Sequence, residues 1–499
     1  MFESAEVGHK VSKSEQRKTE GKLRKGLLEA QYRLLEAKDF SVVILVDGIE
    51  GAGKGDAVNL LNKWMDPRHI AVRAFGEPTT EQAERPYMWR YWRMLPPRGE
   101  ICVMFGHWYA QVRRDRVEKG ADKAAFERRL DEIRRFETML ADENVLLVKL
   151  WFHLSKSAQQ ERFERLSADE RTRWRVTEED WQAHEQYDLI REVAARMLRG
   201  TDDLDAPWII VDSEDENYRS LFVGRALLEA LSLRLAEKRR DEPETVATYL
   251  PSLSDQRTYL ASLELDQKCT RKAYDEQLEI LQGRLALLTR HKAFRKRSLV
   301  LVFEGVDAAG KGGAIRRITA ALDARHCRVI PVGAPTDEEA ARPYLWRFWR
   351  HAPRLGWTVV FDRSWYGRVL VERVEGLCAE TDWRRAYGEI VDFESDLEQS
   401  GAVVLKFWIA IDRDEQLKRF RERAKEPHKR FKLTSEDWRN RKKWDDYEAA
   451  ASEMLERTGG ERPWTIVEGN NKLFARLKIL RTICERLEEA LGVETPLSE

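Results

Sequence analysis

The sequence lacks any long apolar run and carries no excess of either charge. Its 499 residues include 87 basic and 87 acidic side chains, so the formal net charge is zero. No apolar stretch approaches the roughly 20 residues that a membrane-spanning helix needs, and the N-terminus has no apolar core typical of a signal peptide. These absences predict a soluble, cytoplasmic protein with no membrane partner. A polyanionic partner would have to meet a local basic site, because the whole molecule offers no long-range attraction.

Cysteine is scarce. The five cysteines include no Cys-x-x-Cys pair and are widely scattered: Cys102, Cys269, Cys327, Cys378 and Cys484. This pattern excludes a disulfide scaffold and fits a reducing compartment. Hydrophobic residues make up 42% of the chain and charged residues 35%, which indicates globular domains with a heavily charged surface.

An internal repeat organises the chain. An offset of 257 positions aligns Gly48-Ile-Glu-Gly-Ala-Gly-Lys-Gly55 with Gly305-Val-Asp-Ala-Ala-Gly-Lys-Gly312, and it aligns a tryptophan-rich block at Arg85 with one at Arg342. A period this long indicates duplicated domains, since solenoid units repeat every ~20 to 50 residues. The charged, proline-containing stretch 236–245 reads as a linker. We therefore predict domains at residues 1–245 and 246–499.

Each half alternates short apolar runs with long helical patterns. Helices are expected at about 14–38 and 268–293, each followed by a buried strand at 41–46 or 299–303. Further strands in the second half are predicted at 327–332, 357–361, 402–409 and 464–467. Strands that alternate with helices predict an α/β fold with a parallel sheet flanked by helices, and ligands at the carboxyl ends of the strands.

The segment Gly305 to Gly312 follows a predicted strand and opens a helix, which is the context that a phosphate-binding P-loop requires. Its glycines allow backbone amides to converge on phosphate oxygens, and Lys311 is predicted to hold a phosphoryl group. The candidate phosphate-binding glycines are Gly305, Gly310, Gly312 and Gly313. A structural turn is the alternative for such a motif. Gly312 stands where a P-loop usually has the Ser or Thr that contacts magnesium.

Two aspartates are therefore the candidate metal ligands. Asp307 lies inside the loop and Asp362 follows the strand 357–361. Carboxylates at two strand ends suit Mg²⁺, or Mn²⁺ in its place, because such ions are bound through a few carboxylates plus substrate phosphates. Arg363 can fork onto phosphate. A turn or helix cap at Asp362 and a surface ion pair at Arg363 are the alternatives.

A basic run extends from Glu415 to Lys443 and is interrupted by Pro427. Interleaved acidic residues allow a solvated amphipathic helix. The position of the run favours a lid, because P-loop kinases use a helical segment here to cover the phosphates and exclude water. Phosphoryl transfer needs mainly positioning and charge neutralisation, which a metal with Lys311, Arg363 and Arg423 would supply.

Six ordered motifs in the second half together resemble the polyphosphate kinase 2 family. They are Gly305 to Gly313, Phe361-Asp-Arg-Ser-Trp-Tyr366, Glu372-Arg-Val374, Arg419-Phe-Arg-Glu-Arg423, Pro427-His-Lys-Arg-Phe-Lys432 and Trp444-Asp-Asp-Tyr447. The resemblance implies a thymidylate-kinase-like fold with a helical lid. It also implies Mg²⁺-dependent transfer of the terminal phosphoryl group of inorganic polyphosphate to a nucleotide.

By position, the resemblance assigns Asp307 and Asp362 as metal-organising acids, Lys311 as the loop lysine, Arg363 as the phosphate arginine and Glu372 as an acidic site residue. Arg423, Lys429 and Lys432 match the lid. The two-domain form resembles the subgroup that converts AMP to ADP, which is an analogy at the level of the fold. Phe431 and Gly367 depart from the commoner tryptophan and asparagine, which bears on nucleotide preference.

The first half is predicted to be catalytically disabled. At the same offset, Phe105, Gly106 and His107 replace Asp362, Arg363 and Ser364. Leu166 replaces Arg423, while Lys54 is retained. The first half is thus expected to be structural or to dock long polyphosphate.

Three alternative functions stay open, and a fourth is disfavoured. Transfer to ADP and an ATP-dependent nucleotide kinase are the enzyme alternatives, and a sensor that binds nucleotide or polyphosphate without turnover is the non-enzyme alternative. Nucleic-acid binding is disfavoured because no recognised motif accompanies the basic run. Chain length of the polyphosphate, reaction direction and homo-oligomer formation are not readable from the sequence.

Overall fold

A computed structural model describes residues 1–237, 259–426 and 435–494. The chain divides into two compact units. The first contains Met1–Pro78, Arg90–Asp241 and Pro335–Trp346, and the second contains Thr79–Trp89, Glu242–Ala334 and Arg347–Glu499. The predicted domain boundary near residue 245 lies outside the described residues and stays a prediction. Within the described ranges, no helix is both long and apolar enough to cross a membrane.

The first repeat forms a five-stranded parallel sheet in the order β2-β3-β1-β4-β5. Its strands are β1 (Ser41–Gly48), β2 (Ile70–Ala74), β3 (Ile101–Phe105), β4 (Val145–His153) and β5 (Trp208–Asp212). Its helices are α1 (Lys13–Ala37), α2 (Lys54–Trp64), α3 (Thr80–Ala83), α4 (Trp89–Trp92), α5 (Trp108–Val117), α6 (Lys123–Asp142), α7 (Lys156–Ala168), α8 (Glu178–Glu185), α9 (Tyr187–Gly200) and α10 (Glu216–Ala236).

The second repeat forms a sheet of the matching order β7-β8-β6-β9-β10. Its strands are β6 (Ser298–Gly305), β7 (Cys327–Pro331), β8 (Thr358–Asp362), β9 (Ala402–Ala410) and β10 (Trp464–Glu468). Its helices are α11 (Arg271–Arg290), α12 (Lys311–Thr319), α13 (Asp337–Ala340), α14 (Trp346–Trp349), α15 (Val371–Val374), α16 (Glu380–Gln399), α17 (Arg413–Lys425), α18 (Ser435–Lys442), α19 (Trp444–Thr458) and α20 (Lys472–Leu491). The predicted α/β fold with parallel sheets is confirmed.

The central strands are buried along nearly their whole length because helices cover both faces of each sheet. All eight residues of β1 are buried, and seven of the eight in β6 are buried. This is why both read as continuous apolar runs without polar alternation. The predicted helices at 14–38 and 268–293 are confirmed as α1 and α11.

The repeat offset changes by one residue before the last strand of each sheet. Ser41 and Ser298 begin β1 and β6, whereas Trp208 and Trp464 begin β5 and β10. Side chains on α10 and α20 must therefore be compared at the shorter offset, which matters for the arginines described below.

Candidate functional site

The phosphate loop of the second unit joins the central strand β6 to α12. Gly305 ends the strand at φ 138°, and a Cβ there would lie 2.5 Å from the carbonyl oxygen of Ile409, so only glycine fits. Gly310 adopts φ 119° and caps α12, which begins at Lys311. Backbone amides of the loop therefore converge at the positive end of a helix, which is an anion-binding arrangement.

The two glycines after Lys311 have different surroundings. A Cβ on Gly312 would meet no atom of the described residues within 4 Å, whereas a Cβ on Gly313 would lie 3.1 Å from the guanidinium of Arg476. Gly313 allows a cation from α20 to approach the first turn of α12.

Lys311 lies over the loop that it follows. Its Nζ donates to the carbonyl oxygen of Gly305 at 2.6 Å. Burial and the nearby Arg363 lower the pKa of Lys311, while Asp307, Asp362 and Glu304 oppose that shift. Among the described residues, no carboxylate accepts a hydrogen bond from Lys311. Its charge therefore remains available to an anionic ligand.

Arg363 reaches back from the end of the neighbouring strand. Parallel pairing places Asp362 of β8 opposite Phe303 of β6, and the Arg363 amide donates to the carbonyl oxygen of Phe303 at 3.0 Å. The guanidinium of Arg363 donates to Asp307 Oδ1 at 2.7 Å. The residue adopts φ 61°, a left-handed conformation that is strained for a residue with a Cβ and that concentrates at functional sites.

Asp307 is held on both sides of its carboxylate. Asn440 donates to its Oδ2 at 2.9 Å, and Gln416 donates to its backbone carbonyl at 3.0 Å. Burial opposes ionisation of Asp307, but Lys311 and Arg363 outweigh burial and hold its pKa below the usual range. Asp307 is therefore an anion at neutral pH.

The carboxylate oxygens at these strand ends fit a divalent cation that also binds phosphate. The described part of the chain contains no group of three or more His, Cys, Asp or Glu side chains that could hold a metal alone. Asp307 and Asp362 both influence the pKa of Lys311 and of Arg363, so the two carboxylates lie around the same cations. No hydrogen bond of the Asp362 carboxylate is present among the described residues. Mg²⁺ is typically bound through a few carboxylates together with water and substrate phosphates.

The remaining predicted site residues lie further along the chain. Glu372 is on α15 and pairs with Arg368 at 3.1 Å, and no hydrogen bond of Lys311, Asp307 or Arg363 involves it in the described ranges. Arg423 is half-buried near the end of α17. Lys429 and Lys432 lie outside the described residues, so their predicted lid role stays a prediction.

Arg419 is a loop-fixing residue that the sequence reasoning missed. Its buried guanidinium donates to the carbonyl oxygens of Ala308 and Ala309 at 2.9 and 2.8 Å, and to that of Gly469 at 2.6 Å. These bonds turn loop carbonyls away from the anion-binding side. The motif Arg419 to Arg423 contained the signal, but the sequence reasoning assigned its basic residues to a lid over the phosphates and not to the loop carbonyls.

A buried ion pair supports the residues that follow Arg363. Glu394 accepts from Trp365 at 3.1 Å and Tyr366 at 2.7 Å through Oε1, and from Lys406 at 2.9 Å through Oε2. Lys406 also donates to the carbonyl oxygen of Thr458 at 2.7 Å. Because every partner is satisfied, the pair can remain charged in the core and fix the backbone after β8.

The first unit keeps the loop backbone but neutralises its cation. Gly48 and Gly53 adopt φ 146° and 81°, matching Gly305 and Gly310. Lys54, however, forms an ion pair with Glu50 at 2.9 Å. Arg113 enters from α5 and pairs with Asp47 at 3.0 Å, and neither side chain is more than 15% exposed. These ion pairs occupy the charged side chains that would otherwise contact a metal and a phosphate.

The first unit also places its own carboxylate at the start of α2. Asp56 corresponds to Gly313 and accepts from Arg175 at 2.8 Å, with Arg162 at 3.5 Å and Arg219 at 3.8 Å. Arg162 corresponds to Arg419, yet Arg219 from α10 makes the equivalent contacts, to the carbonyl oxygens of Ala52 and Ser213. An internal anion thus occupies the basic cluster that a phosphate would need.

The fold and the site of the second unit define a P-loop phosphotransferase: a parallel sheet with a glycine loop and lysine after the central strand, and an acidic residue at the neighbouring strand end. The family model described as Polyphosphate kinase 2 (PPK2) matches residues 10–239 and 268–494. The chain belongs to the polyphosphate kinase 2 family.

Relatives of similar length agree with this assignment. The chain is 53% identical over 491 residues to a polyphosphate:AMP phosphotransferase of Pseudomonas aeruginosa. The alignment covers 98% of this chain and 99% of the relative. It is 48% identical over 496 residues to a protein of the same description from Pseudomonas syringae pv. tomato, with 99% of each covered. A solved structure described as a polyphosphate kinase 2 from Pseudomonas aeruginosa has a TM-score of 0.88 at 50% identity and covers 99% of this chain and 100% of its own.

Proposed function

We propose that this protein transfers the terminal phosphoryl group of inorganic polyphosphate to AMP, giving ADP, at the second unit. The proposal is carried by one observation. Lys311, Asp307 and Arg363 lie close together at the ends of neighbouring strands, and Asp362 lies beside them. The polyphosphate:AMP phosphotransferases to which the chain is similar along their whole length support the choice of donor and acceptor.

Each residue has a defined task in this proposal. Loop amides and Lys311 bind the donor phosphates, Arg363 orients and neutralises the transferred group, and Asp307 and Asp362 would hold Mg²⁺, or Mn²⁺ in its place. A cation held there would supply neutralisation of the charge on the reacting phosphates. Arg419 keeps the loop carbonyls turned away from the phosphates.

The reaction needs no dedicated catalytic base. A phosphate oxygen of AMP forms the new bond to the terminal phosphorus, and the bond between that phosphorus and the next bridging oxygen breaks. The bridging oxygen stays with the shortened polyphosphate. Because a phosphate monoester is largely dianionic near neutral pH, the attacking oxygen carries no proton that must first be removed.

We propose a non-catalytic, structural role for the first half of the chain, the predicted domain 1–245. Lys54 is neutralised by Glu50, Arg113 by Asp47, and the arginines around Asp56 already enclose a carboxylate. These internal pairs argue against polyphosphate docking at the first phosphate loop. A cytoplasmic location, suggested by the scattered cysteines, stays a prediction of the sequence.

The test offers AMP and ADP separately with polyphosphate and Mg²⁺, and without ATP. We expect ADP to form from AMP faster than ATP forms from ADP, and we expect EDTA to stop both reactions. Chromatography of the products measures both rates. A Lys311→Ala preparation purified in the same way reveals any contaminating adenylate kinase, which would interconvert the nucleotides on its own.

Two results would overturn parts of the proposal. Absence of ADP from AMP would remove polyphosphate as the donor and favour an ATP-dependent kinase. Faster formation of ATP from ADP would favour the polyphosphate:ADP alternative and leave the phosphate site unchanged.

A further inference from the structure

Asn440, on α18, is the only side-chain amide among the described residues that donates to the Asp307 carboxylate. Its Nδ2 lies 2.9 Å from Asp307 Oδ2, while Arg363 donates to Oδ1 of the same carboxylate at 2.7 Å. The two donors come from different parts of the second unit and fix the plane of the carboxylate between them. None of the motif residues recognised in the sequence accounts for this second contact.

The Asp307 carboxylate, together with a weaker contact from Tyr447, determines which way the Asn440 amide faces. The Tyr447 hydroxyl lies 3.4 Å from Asn440 Oδ1 and 3.4 Å from Glu375 Oε1. A flipped amide would bring Oδ1 against the Asp307 carboxylate, where two acceptors would repel each other. Burial, with Glu375 and Asp307 nearby, raises the pKa of Tyr447, so its hydroxyl keeps the proton that it can donate.

The helix around Asn440 is anchored on one buried carboxylate. Glu375, whose side chain is 9% exposed, pairs with Arg439 at 3.2 Å and with Lys443 at 3.3 Å. Lys443 also donates to the carbonyl oxygen of Val374 at 3.1 Å. Residues on both sides of Asn440 are thus fixed, so the position of its side chain follows from the helix rather than from its own flexibility.

The repeat provides an internal comparison for this arrangement. Ala183 and Ile190 occupy the positions of Asn440 and Tyr447 in the first half, and Gln182 and Gln186 occupy those of Arg439 and Lys443. Glu118 retains the carboxylate of Glu375, so the loss is specific to the residues that point toward Asp307 or hold the helix. The arrangement is absent from the same half in which Asp362 and Arg363 are replaced.

We propose that Asn440 is a positioning residue that orients the Asp307 carboxylate for a divalent cation, with Tyr447 orienting Asn440 in turn. The inference rests on the proposed metal role of Asp307. A hydrogen-bonded partner of a metal-binding carboxylate fixes its orientation, and its loss typically costs 10- to 100-fold in metal affinity or activity. Asn440 would thus act through Asp307 without contacting either substrate.

Asn440→Ala in the full chain is expected to raise the half-saturating Mg²⁺ concentration about 10-fold and to leave the KM for AMP within about twofold. Titration with Mn²⁺ alone, followed by the electron paramagnetic resonance of free Mn²⁺, should show weaker binding by a similar factor. Tyr447→Phe keeps the ring and removes only the hydroxyl, so a smaller shift of about threefold in the same direction is expected. Ser435→Ala, an exposed position on the same helix, is the control and should match the wild type.

The outcomes separate this inference from the proposed function. If Asn440→Ala and Tyr447→Phe both bind Mn²⁺ and respond to Mg²⁺ as the wild type does, the positioning role is wrong, even if kcat or thermal stability falls. If Asp307→Asn leaves Mn²⁺ binding and activity intact, the proposed metal role of Asp307 itself is wrong.

Discussion

Lys311→Ala is expected to slow phosphoryl transfer from polyphosphate to AMP by about 10²- to 10³-fold, which is the typical cost of removing one preorganised donor to a developing charge. Lys54→Ala is expected to leave the rate within about twofold. In the described part of the chain, Lys311 donates only to backbone oxygens of its loop, whereas Lys54 is neutralised by Glu50. Initial rates of ADP formation from polyphosphate and AMP measure both effects.

The two substitutions are matched controls for each other. They remove a lysine side chain from corresponding positions of the two P-loops, so a general effect of damaging a P-loop should appear in both variants. Circular dichroism and the midpoint of thermal unfolding would show whether either variant is misfolded. Comparable losses of activity in two folded variants would contradict the proposed asymmetry between the units.

Arg363→Gly is expected to reduce activity by about 10³-fold without lowering stability. An arginine that neutralises the transferred phosphoryl group can contribute a factor of that size. Arg363 adopts φ 61°, and the corresponding Gly106 adopts the same φ of 61°. A left-handed conformation costs a residue with a Cβ roughly 1–2 kcal/mol, and glycine relieves that cost.

Arg363→Ala separates the side chain from the backbone strain. Alanine removes the guanidinium but retains the Cβ, so it should be as inactive as Arg363→Gly and about 1 kcal/mol less stable. Steady-state rates and thermal unfolding of the two variants give the comparison. Retained activity in either variant would contradict the role of Arg363, and equal stability of the two would contradict the claim of strain.

The sequence predicts the sheet and the loop because each is encoded locally. Continuous apolar runs mark strands covered on both faces, and β6, β8 and β9 lie where those runs predict them. The glycine spacing encodes the turn at Gly305 and Gly310. The alternation of strands and helices implies a parallel sheet. The pairing of β6 with β8 instead of β7, which brings Arg363 to Asp307, comes from the structure.

Contacts that depend on side-chain reach could not be predicted in the same way. Arg419 and Asn440 approach the loop from helices far along the chain. The basic run that contains them indicated a lid, but it did not indicate which side chains would contact Asp307 or the loop carbonyls. In the first unit Arg219, from a different helix, makes the loop contacts that Arg419 makes in the second. A position-by-position comparison of the halves therefore does not show that an arginine from a different helix takes over the contacts of Arg419.

The segments that make up each unit also differ from those that the repeat predicts. The first unit includes Pro335–Trp346 and the second includes Thr79–Trp89, each taken from the other half. These segments carry the same Arg-Pro-Tyr block in both halves. Because the block is duplicated, its sequence cannot indicate the unit to which each copy belongs.

A crystal structure of the full chain with Mn²⁺, AMP and a short polyphosphate would test the central claim most directly. The anomalous signal of Mn²⁺ should appear once, within coordination distance of carboxylate oxygens of Asp307 and Asp362 and beside phosphates held by Lys311. Glu50 and Asp47 of the first unit should have no such signal. A metal bound in the first unit, or one in the second unit that neither Asp307 nor Asp362 contacts, would contradict the account.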